Sequence, residues 1–308
     1  AVRLTKLKLL AMTTLSFGAW VLSPSAMSQN LPVGAQVISG SVTGVTQLST
    51  NLNQGGNFNW YDASARINML RQFNTEFSAG VSVGYSHQGW NWGADNKSFG
   101  DSAPWQGINN TQLGLNLGYS PTADWRLGLM PIVSWRGEDG VGAGGSAVYG
   151  GVVSAAHTFS PNLTLGLGAG VFREFDETNT FPYLVINWKI TPKLTLANPL
   201  PAGPAGGAGL ELTYELNQAW KFGLGGSYRQ DRFRLNNSGT FAGGVGQNKY
   251  IPLFARASYS FTPKTNIDLY LAAMLGGQVK ATTADGSLVQ SDNYSTGLGI
   301  GVNLSHRF

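Results

Sequence analysis

The chain has 308 residues, of which 42 are glycine, 11% are aromatic and only 12% are charged. This composition excludes three classes of protein: a disordered chain needs high net charge and low hydrophobicity, a long-helix protein needs abundant Ala, Glu, Lys and Leu, and a helical membrane protein needs apolar runs of about 20 residues. There are no cysteines, so disulfide frameworks and thiolate metal sites are excluded as well. An all-β protein is favoured.

The first 28 residues are predicted to be an export signal. Three basic residues are followed by an apolar stretch over 9–22, and then by the small-x-small pattern Ala26-Met27-Ser28. We expect cleavage after Ser28 and a single domain over residues 29–308; an N-terminal membrane anchor is the alternative. Without this segment the chain has 20 − 3 = 17 basic and 16 acidic residues, so it lacks the basic surface of a nucleic-acid-binding protein.

Alternation with a period of two residues dominates the rest of the chain, which indicates β-strands with two different faces. Near the C-terminus one face carries Thr296, Leu298, Ile300, Val302 and Leu304, and the other carries mostly Gly, Asn and Ser. Short polar turns alternate with long loops near 50–57, 91–108, 137–145, 174–180, 200–208, 233–248 and 281–292. This spacing predicts 14 antiparallel strands, or 12 if the proline-rich junction at 199–204 is not a hairpin.

The polarity of the two faces predicts a membrane-spanning, up-and-down antiparallel β-barrel. Aromatic residues flank an aliphatic band on the apolar face, as at the two interfaces of a membrane. The belt at the short-turn end is predicted to comprise Phe77, Tyr119, Trp125, Phe159, Trp188, Trp220, Tyr259, Phe261 and Phe308, and the belt at the long-loop end Tyr61, Trp135, Tyr250 and Tyr294. Backbone groups in hydrocarbon must be paired, so the sheet has to close. A soluble sandwich is the alternative.

The chain from about residue 35 to residue 308 resembles bacterial outer-membrane β-barrel proteins. Its last residue, Phe308, and the alternating positions before it resemble the C-terminal signal that the outer-membrane assembly machinery reads, although His306 stands where a second aromatic residue is usual. Segments 181–188, 194–199 and 209–214 are similar to a functionally uncharacterised family of such barrels. The resemblance implies a bacterial outer-membrane location, with lipid and lipopolysaccharide around the barrel.

The polar face of the strands is expected to point into the lumen. Its charged residues are close to balance, which argues against strong ion selectivity. The predicted pore-lining candidates are Asp62, Arg66, Glu76, Arg126, Arg136, Lys189, Glu211, Glu215, Lys221, Arg229, Asp231, Arg256 and Asp268. The other inward positions are largely Gly and Ser, and these are expected to leave room for a narrow aqueous channel.

The longest well-defined loop, 91–108, offers a second candidate site. Trp92, Asp95, Asp101 and Trp105 are the candidate ligand-binding residues, because aromatic and polar side chains on a loop bind ligands or constrict a pore. The favoured alternative is an exposed loop whose tryptophans lie at the membrane interface.

No enzyme motif was found in the sequence: there is no G-x-S-x-G elbow and no H-E-x-x-H zinc motif. We therefore expect no catalytic residues, metal or cofactor. The main hypothesis is a small, weakly selective diffusion channel for polar solutes. A structural or ligand-binding barrel acting through its long loops is one alternative. A transporter of hydrophobic substrates, with a lateral opening near the strand kink at Pro199–Pro204, is another.

Overall fold

The computed structural model describes residues 31–308, and strands dominate it. The predicted signal segment and its cleavage after Ser28 lie outside the described residues. The sixteen strand segments are β1 (Gln36–Asn51), β2 (Asn57–Gln72), β3 (Phe77–Trp92), β4 (Gly107–Tyr119), β5 (Trp125–Glu138), β6 (Ala147–Ser160), β7 (Leu163–Glu174), β8 (Glu177–Thr191), β9 (Leu194–Ala197), β10 (Leu210–Glu215), β11 (Trp220–Gly226), β12 (Arg229–Arg234), β13 (Val245–Thr262), β14 (Thr265–Thr282), β15 (Leu288–Asn293) and β16 (Gly297–Arg307). A 3₁₀ turn (Lys97–Phe99) and the short helix α1 (Ala143–Ser146) interrupt two loops. None of the helices within residues 31–308 has the length and apolar character needed to span a membrane.

The sheet closes on itself into a barrel. Sequential strands pair antiparallel, and β1 pairs with β16 from Ser39↔Arg307 to Gln47↔Gly299. β11 and β12 form one bent strand, and so do β15 and β16, which leaves 14 strands around the barrel. The predicted count of 14 is confirmed. The proline-rich junction does connect a hairpin, but its strands β9 and β10 have only four and six residues.

The outer surface of the barrel is apolar. Ile67, Leu167, Leu271 and Ile300 are between 49% and 70% exposed, and each points away from the lumen. Exposure of this many aliphatic side chains is tolerated in hydrocarbon and would promote aggregation in water. The architecture is therefore that of the outer-membrane β-barrels.

Two tyrosines assigned to the outer aromatic belt by the sequence point into the lumen instead. Tyr250 and Tyr294 are only 2% and 5% exposed, and the hydroxyl of Tyr294 donates to Asn248 Oδ1 at 2.9 Å. On β13 the outward positions are Ile251 and Leu253, so Tyr250 has the opposite parity. The prediction for these two residues was wrong because Tyr250, on β13, and Tyr294, between β15 and β16, lie at the loop end, where aromatic residues also pack inside the barrel.

The connections alternate in length, with six short turns at one end of the barrel, the turn end, and the longer loops at the other, the loop end. One predicted long connection, 174–180, is a tight turn of two residues between β7 and β8. It is made possible by Phe175, whose φ of 56° lies in the left-handed region. This tight turn becomes one corner of an opening in the wall.

The wall of the barrel is interrupted between β8 and β12. β9 pairs with β8 only between Asn187 and Thr191, so among the described residues the β8–β9 ladder does not continue toward the tight turn. β12 bends inward and pairs with β13 along one edge. Among the described residues, its other edge forms a single bridge, Arg234↔Gly137 of β5. We call the interval between these two free edges the wall gap.

The free edge of β8 is adapted to the missing neighbour. The backbone N–H of Ile186 donates to Asn198 Oδ1, and its C=O accepts from the backbone N–H of Asn198. Backbone groups alternate between the two sides of a strand, so the even-numbered residues between Ile186 and the tight turn direct their N–H and C=O groups toward the wall gap. One of these even positions is Pro182, which has no N–H to leave unpaired.

Asn198 closes the corner of the wall gap that lies toward the turn end. Its side-chain Oδ1 accepts from Ile186 N at 2.9 Å, and its Nδ2 donates to Leu184 O at 2.8 Å and to Gly209 O at 3.0 Å. One carboxamide thus supplies the hydrogen bonds that a continuing strand β9 would have made. Buried backbone groups without such a partner are costly.

We expect the Asn198→Ala variant to lower the free energy of unfolding by about 2 kcal/mol, because it removes three hydrogen bonds to backbone groups, two of them buried. Denaturant titration of the folded barrel in detergent measures this change. Asn237→Ala, at an exposed loop position, is the control and should leave stability unchanged. Equal stability of Asn198→Ala and wild type would contradict the role assigned to this carboxamide.

Candidate functional site

A loop between β9 and β10 folds into the lumen. This inward loop, residues 198–209, reaches the far wall, where Gly203 approaches the ring of Tyr270 on β14 and Pro204 approaches Gly301 on β16. Small residues, mostly Pro, Ala and Gly, make up the loop, so its backbone can pack closely against the wall. The lumen is therefore crossed near its middle by a protein segment.

Arg229 of β12 holds the inward loop in place. Its Nη1 donates to Gly203 O at 3.4 Å and to Ala205 O at 3.3 Å. Ser227 Oγ accepts from Gly206 N at 3.0 Å. Because both side chains belong to the bent strand β11–β12, the position of the loop depends on the position of that strand.

Aromatic side chains fill the lumen at the loop end. The members of this aromatic cluster, all buried or partly buried, are Phe58, Trp60, Trp90, Trp92, Phe99, Trp105, Phe233, Phe241, Tyr250 and Tyr294. Trp90 and Trp92 stack at 5.4 Å, and Trp105 meets Trp92 edge-on at 5.2 Å. The cluster closes the mouth of the barrel with apolar surface.

Loop 93–106 contributes to this cluster by folding inward, so the favoured sequence interpretation of an exposed interfacial loop was wrong for its tryptophans. Trp105 is 1% exposed, and Trp92 Nε1 donates to Trp105 O at 2.7 Å. Ser98 Oγ donates to Asp292, which ties the loop to β15. The two acidic candidates of the loop, Asp95 and Asp101, are exposed and do not join the tryptophans.

The inner face of strands β5–β8 is apolar. It carries a buried cluster of Met130, Ile132, Val148, Val152, Ala156, Phe172, Phe181, Tyr183 and Val185, against which Phe175 and Ala208 pack. We call this surface the apolar wall. It ends at the free edge of β8 and therefore borders the wall gap from the inside.

The glycines of β7 do not leave open space as the sequence suggested. Gly168 and Gly170 are the cross-strand partners of Tyr183 and Phe181, and the rings of these two residues occupy the volume that a side chain on either glycine would need. Glycine on a strand lets a neighbouring ring lie flat on the sheet. The inward glycines therefore make the apolar wall denser.

A polar cavity of about 80 Å³ remains between β1–β5, β12 and the inward loop. Five of the predicted pore-lining residues line it: Asp62, Arg66, Arg136, Arg229 and Asp231. Ser41, Thr43, Ser64 and Ser86 add hydroxyl groups. The top of the cavity is apolar, since Trp60, Ile108 and Phe233 belong to its lining.

Five more predicted residues form ion pairs that stabilise the wall. Arg256 contacts Glu211 through Nε at 3.0 Å and Asp268 through Nη1 at 3.1 Å, and Asn303 Nδ2 donates to Asp268 at 2.9 Å. Lys221 pairs with Glu215 at 2.6 Å near the turn end.

The remaining three predicted residues lie away from the cavity. Glu76 is exposed in the turn between β2 and β3, so it is not a lumen residue and its prediction was wrong: the strand begins only at Phe77. Lys189 is exposed, and Arg126 is half-buried, both near the turn end.

The sequence interpretation missed the residues that surround the wall gap. Gln230, Arg232 and Arg234 follow the outward parity of Phe222 and Leu224, yet Gln230 and Arg232 are buried and Arg234 is half-buried. Three polar residues in succession on a lipid-facing register would be costly in a membrane, and this was the available signal that the strand leaves the wall.

We expect Arg256→Met to lower the free energy of unfolding by about 3 kcal/mol or more, because it leaves two buried carboxylates without their shared cation. Lys221→Met breaks a half-exposed pair and should cost less than about 1 kcal/mol. Denaturant titration of both variants measures the difference. Equal losses would contradict the distinction between these two pairs.

Comparison with known proteins gives a family and several similar folds. The COG4313 outer membrane channel from Pseudomonas putida F1 is 11% identical, with a TM-score of 0.49 and coverage of 90% of this chain and 97% of that chain. The P. putida toluene transporter TodX is 11% identical, with a TM-score of 0.46 and coverage of 90% and 91%. The KdgM porin is 11% identical, with a TM-score of 0.35 and coverage of 87% and 99%. No curated protein matches the sequence. The family described as "Domain of unknown function (DUF6268)" matches residues 46–269, and the chain belongs to that family.

Proposed function

We propose that this barrel is a bacterial outer-membrane channel for small apolar or amphipathic molecules, which leave the lumen sideways through the wall gap. The observation that supports this proposal is the position of the apolar wall, which borders the wall gap from the inside. A molecule partitioning from the aromatic cluster would meet apolar surface on one side of its path and, at the free edge of β8, an exit toward the membrane.

The composition of the β8 edge supports the same proposal. Backbone groups that lack a hydrogen-bond partner are costly in hydrocarbon, so an edge beside lipid is favoured when it carries fewer of them. An edge with Pro182 in place of an N–H donor lowers the number of groups that need a partner. The wall gap can therefore border lipid at a smaller cost than an ordinary strand edge.

The proposal includes the surroundings of the barrel. By the rule for bacterial barrels, the short turns face the periplasm and the longer loops face outward. Lipopolysaccharide then surrounds the loop end. The C-terminal strand β16 and Phe308 remain the segment that we propose the assembly machinery recognises.

A diffusion channel for small polar solutes is the second candidate function. The polar cavity supports it, since Asp62, Arg66 and Arg229 offer both signs of charge to a passing solute. This path continues to the periplasm only if the inward loop moves, because Gly203 and Pro204 contact the far wall.

Uptake of an apolar fluorescent probe into cells of a Gram-negative host tests the lateral route. We expect cells that express the barrel to take up the probe faster than cells with an empty vector, because the lipopolysaccharide leaflet slows its direct entry. Ala208→Trp places a large ring against the apolar wall and should reduce uptake to the empty-vector level. Ala255→Trp, on the exposed outer face of β13, is the matched control and should behave as wild type. Wild-type uptake in the Ala208→Trp variant, with the barrel folded, would refute the lateral route.

Single-channel recording in planar bilayers tests the polar route. We expect almost no ion current from wild type, since the inward loop crosses the lumen, and a stable current after residues 201–207 are replaced by two glycines. Porin-like conductance of the wild-type barrel would instead favour the diffusion channel and contradict the obstructing role of the inward loop.

A further inference from the structure

We infer that the wall gap has a latch, formed by three arginines that hold the tight turn between β7 and β8. This inference rests on the proposed function, because it concerns how the lateral exit opens. The turn consists of Glu174, Phe175, Asp176 and Glu177, at the corner of the wall gap that lies toward the loop end. Each of these four residues is contacted by an arginine from β5 or β12.

The central contact of the latch joins the two free edges directly. Arg232 of β12 reaches Asp176 Oδ1 through Nη2 at 2.7 Å and also pairs with Glu177 through Nη1. Arg232 is 1% exposed, so the pair is removed from solvent on the β12 side. On its other side Glu177 is 40% exposed, and water can reach this end of the pair.

Two further arginines fix the same turn. Arg234 of β12 lies over the Phe175 ring, with 4.7 Å from its Cζ to the ring centroid, and its Nη1 and Nε donate to backbone oxygens of Gly243 and Gly145. Arg136 of β5 pairs with Glu174 at 3.5 Å. The turn is thereby connected to the bent strand and, through β5, to the polar cavity that Arg136 lines.

The composition of the latch suits a contact that opens. A buried ion pair gains little net free energy, because the Coulombic attraction is offset by the cost of removing both charges from water. A packed aliphatic contact at the same corner would hold the edges together more firmly, because no charge would have to be removed from water to form it. Water entering at the exposed side of Glu177 can hydrate the carboxylates and let β12 move away from β8.

Release of the latch would act on the obstruction of the lumen as well. Arg229 lies three residues before the latch residue Arg232 on β12, and it donates to the carbonyls of the inward loop. β12 is otherwise secured by its ladder with β13 from Arg229↔Tyr250 to Arg234↔Val245 and, at its far end, by the bridge Arg234↔Gly137 to β5, which the movement has to break. A tilt of β12 about that ladder would therefore widen the wall gap and displace the inward loop in one movement.

Cross-linking tests the latch, and the cysteine-free chain allows a specific reaction at two introduced thiols. The Glu177→Cys/Arg232→Cys variant lacks the central ion pair. We expect it to take up the apolar probe roughly tenfold faster than wild type. Treatment with a short bifunctional methanethiosulfonate should reconnect the edges and reduce uptake below the wild-type rate, and a reducing agent should restore the fast rate.

Control variants separate the latch from general loosening of the barrel. Arg232→Gln should raise uptake as the cysteine pair does, whereas Lys221→Gln, which breaks an ion pair near the turn end, should not. The heat-dependent gel mobility of each variant shows that it is folded. Wild-type uptake in folded Arg232→Gln, or no effect of the cross-link, would overturn the latch. If wild type and every variant match the empty vector, the proposed lateral route itself fails.

Discussion

The pairing of backbone hydrogen-bonding groups is the constraint on which this structure depends. A sheet surrounded by hydrocarbon cannot leave an edge exposed, which explains why β1 must pair with β16 and why the strands form a closed barrel. Between β8 and β12, adjacent wall strands lose this pairing. Asn198 satisfies backbone groups that the missing ladder would have paired, and Pro182 removes one such group. Arg232 spans the interruption through its ion pairs with Asp176 and Glu177.

The same interruption organises the interior. β12 leaves the wall, so its side chains fill the lumen: Arg229 secures the inward loop and Phe233 packs into the aromatic cluster. On the inner face of β5–β8, Phe175 of the tight turn and Ala208 of the inward loop pack against the apolar wall, which accounts for part of its aliphatic and aromatic composition. A 14-strand barrel that could have enclosed an aqueous pore is divided into a polar cavity on one side and an apolar wall beside the opening.

The sequence was sufficient to predict the barrel, its strand number and its outward face, because lipid imposes a strict two-residue period on every strand that stays in the wall. It also predicted the charged lumen residues Asp62, Arg66 and Arg229. It failed where strands extend beyond or depart from the lipid region. Tyr250 was assigned to the outer belt and Trp105 to an exposed loop, since the period does not indicate how a loop folds over the mouth. The glycines of β7 were taken as free space because a single strand does not show which ring its neighbour lays across it.

The aromatic cluster has a consequence for observing this protein in solution. Trp60, Trp90, Trp92 and Trp105 gather at the loop end, while Trp125, Trp188 and Trp220 lie on the lipid-facing surface. The nearly parallel indoles of Trp90 and Trp92, with an interplanar angle of 13°, are close enough for their electronic transitions to couple. The near-ultraviolet circular dichroism of the barrel should then be dominated by its mouth, and it offers an optical signal for rearrangement there without any attached label.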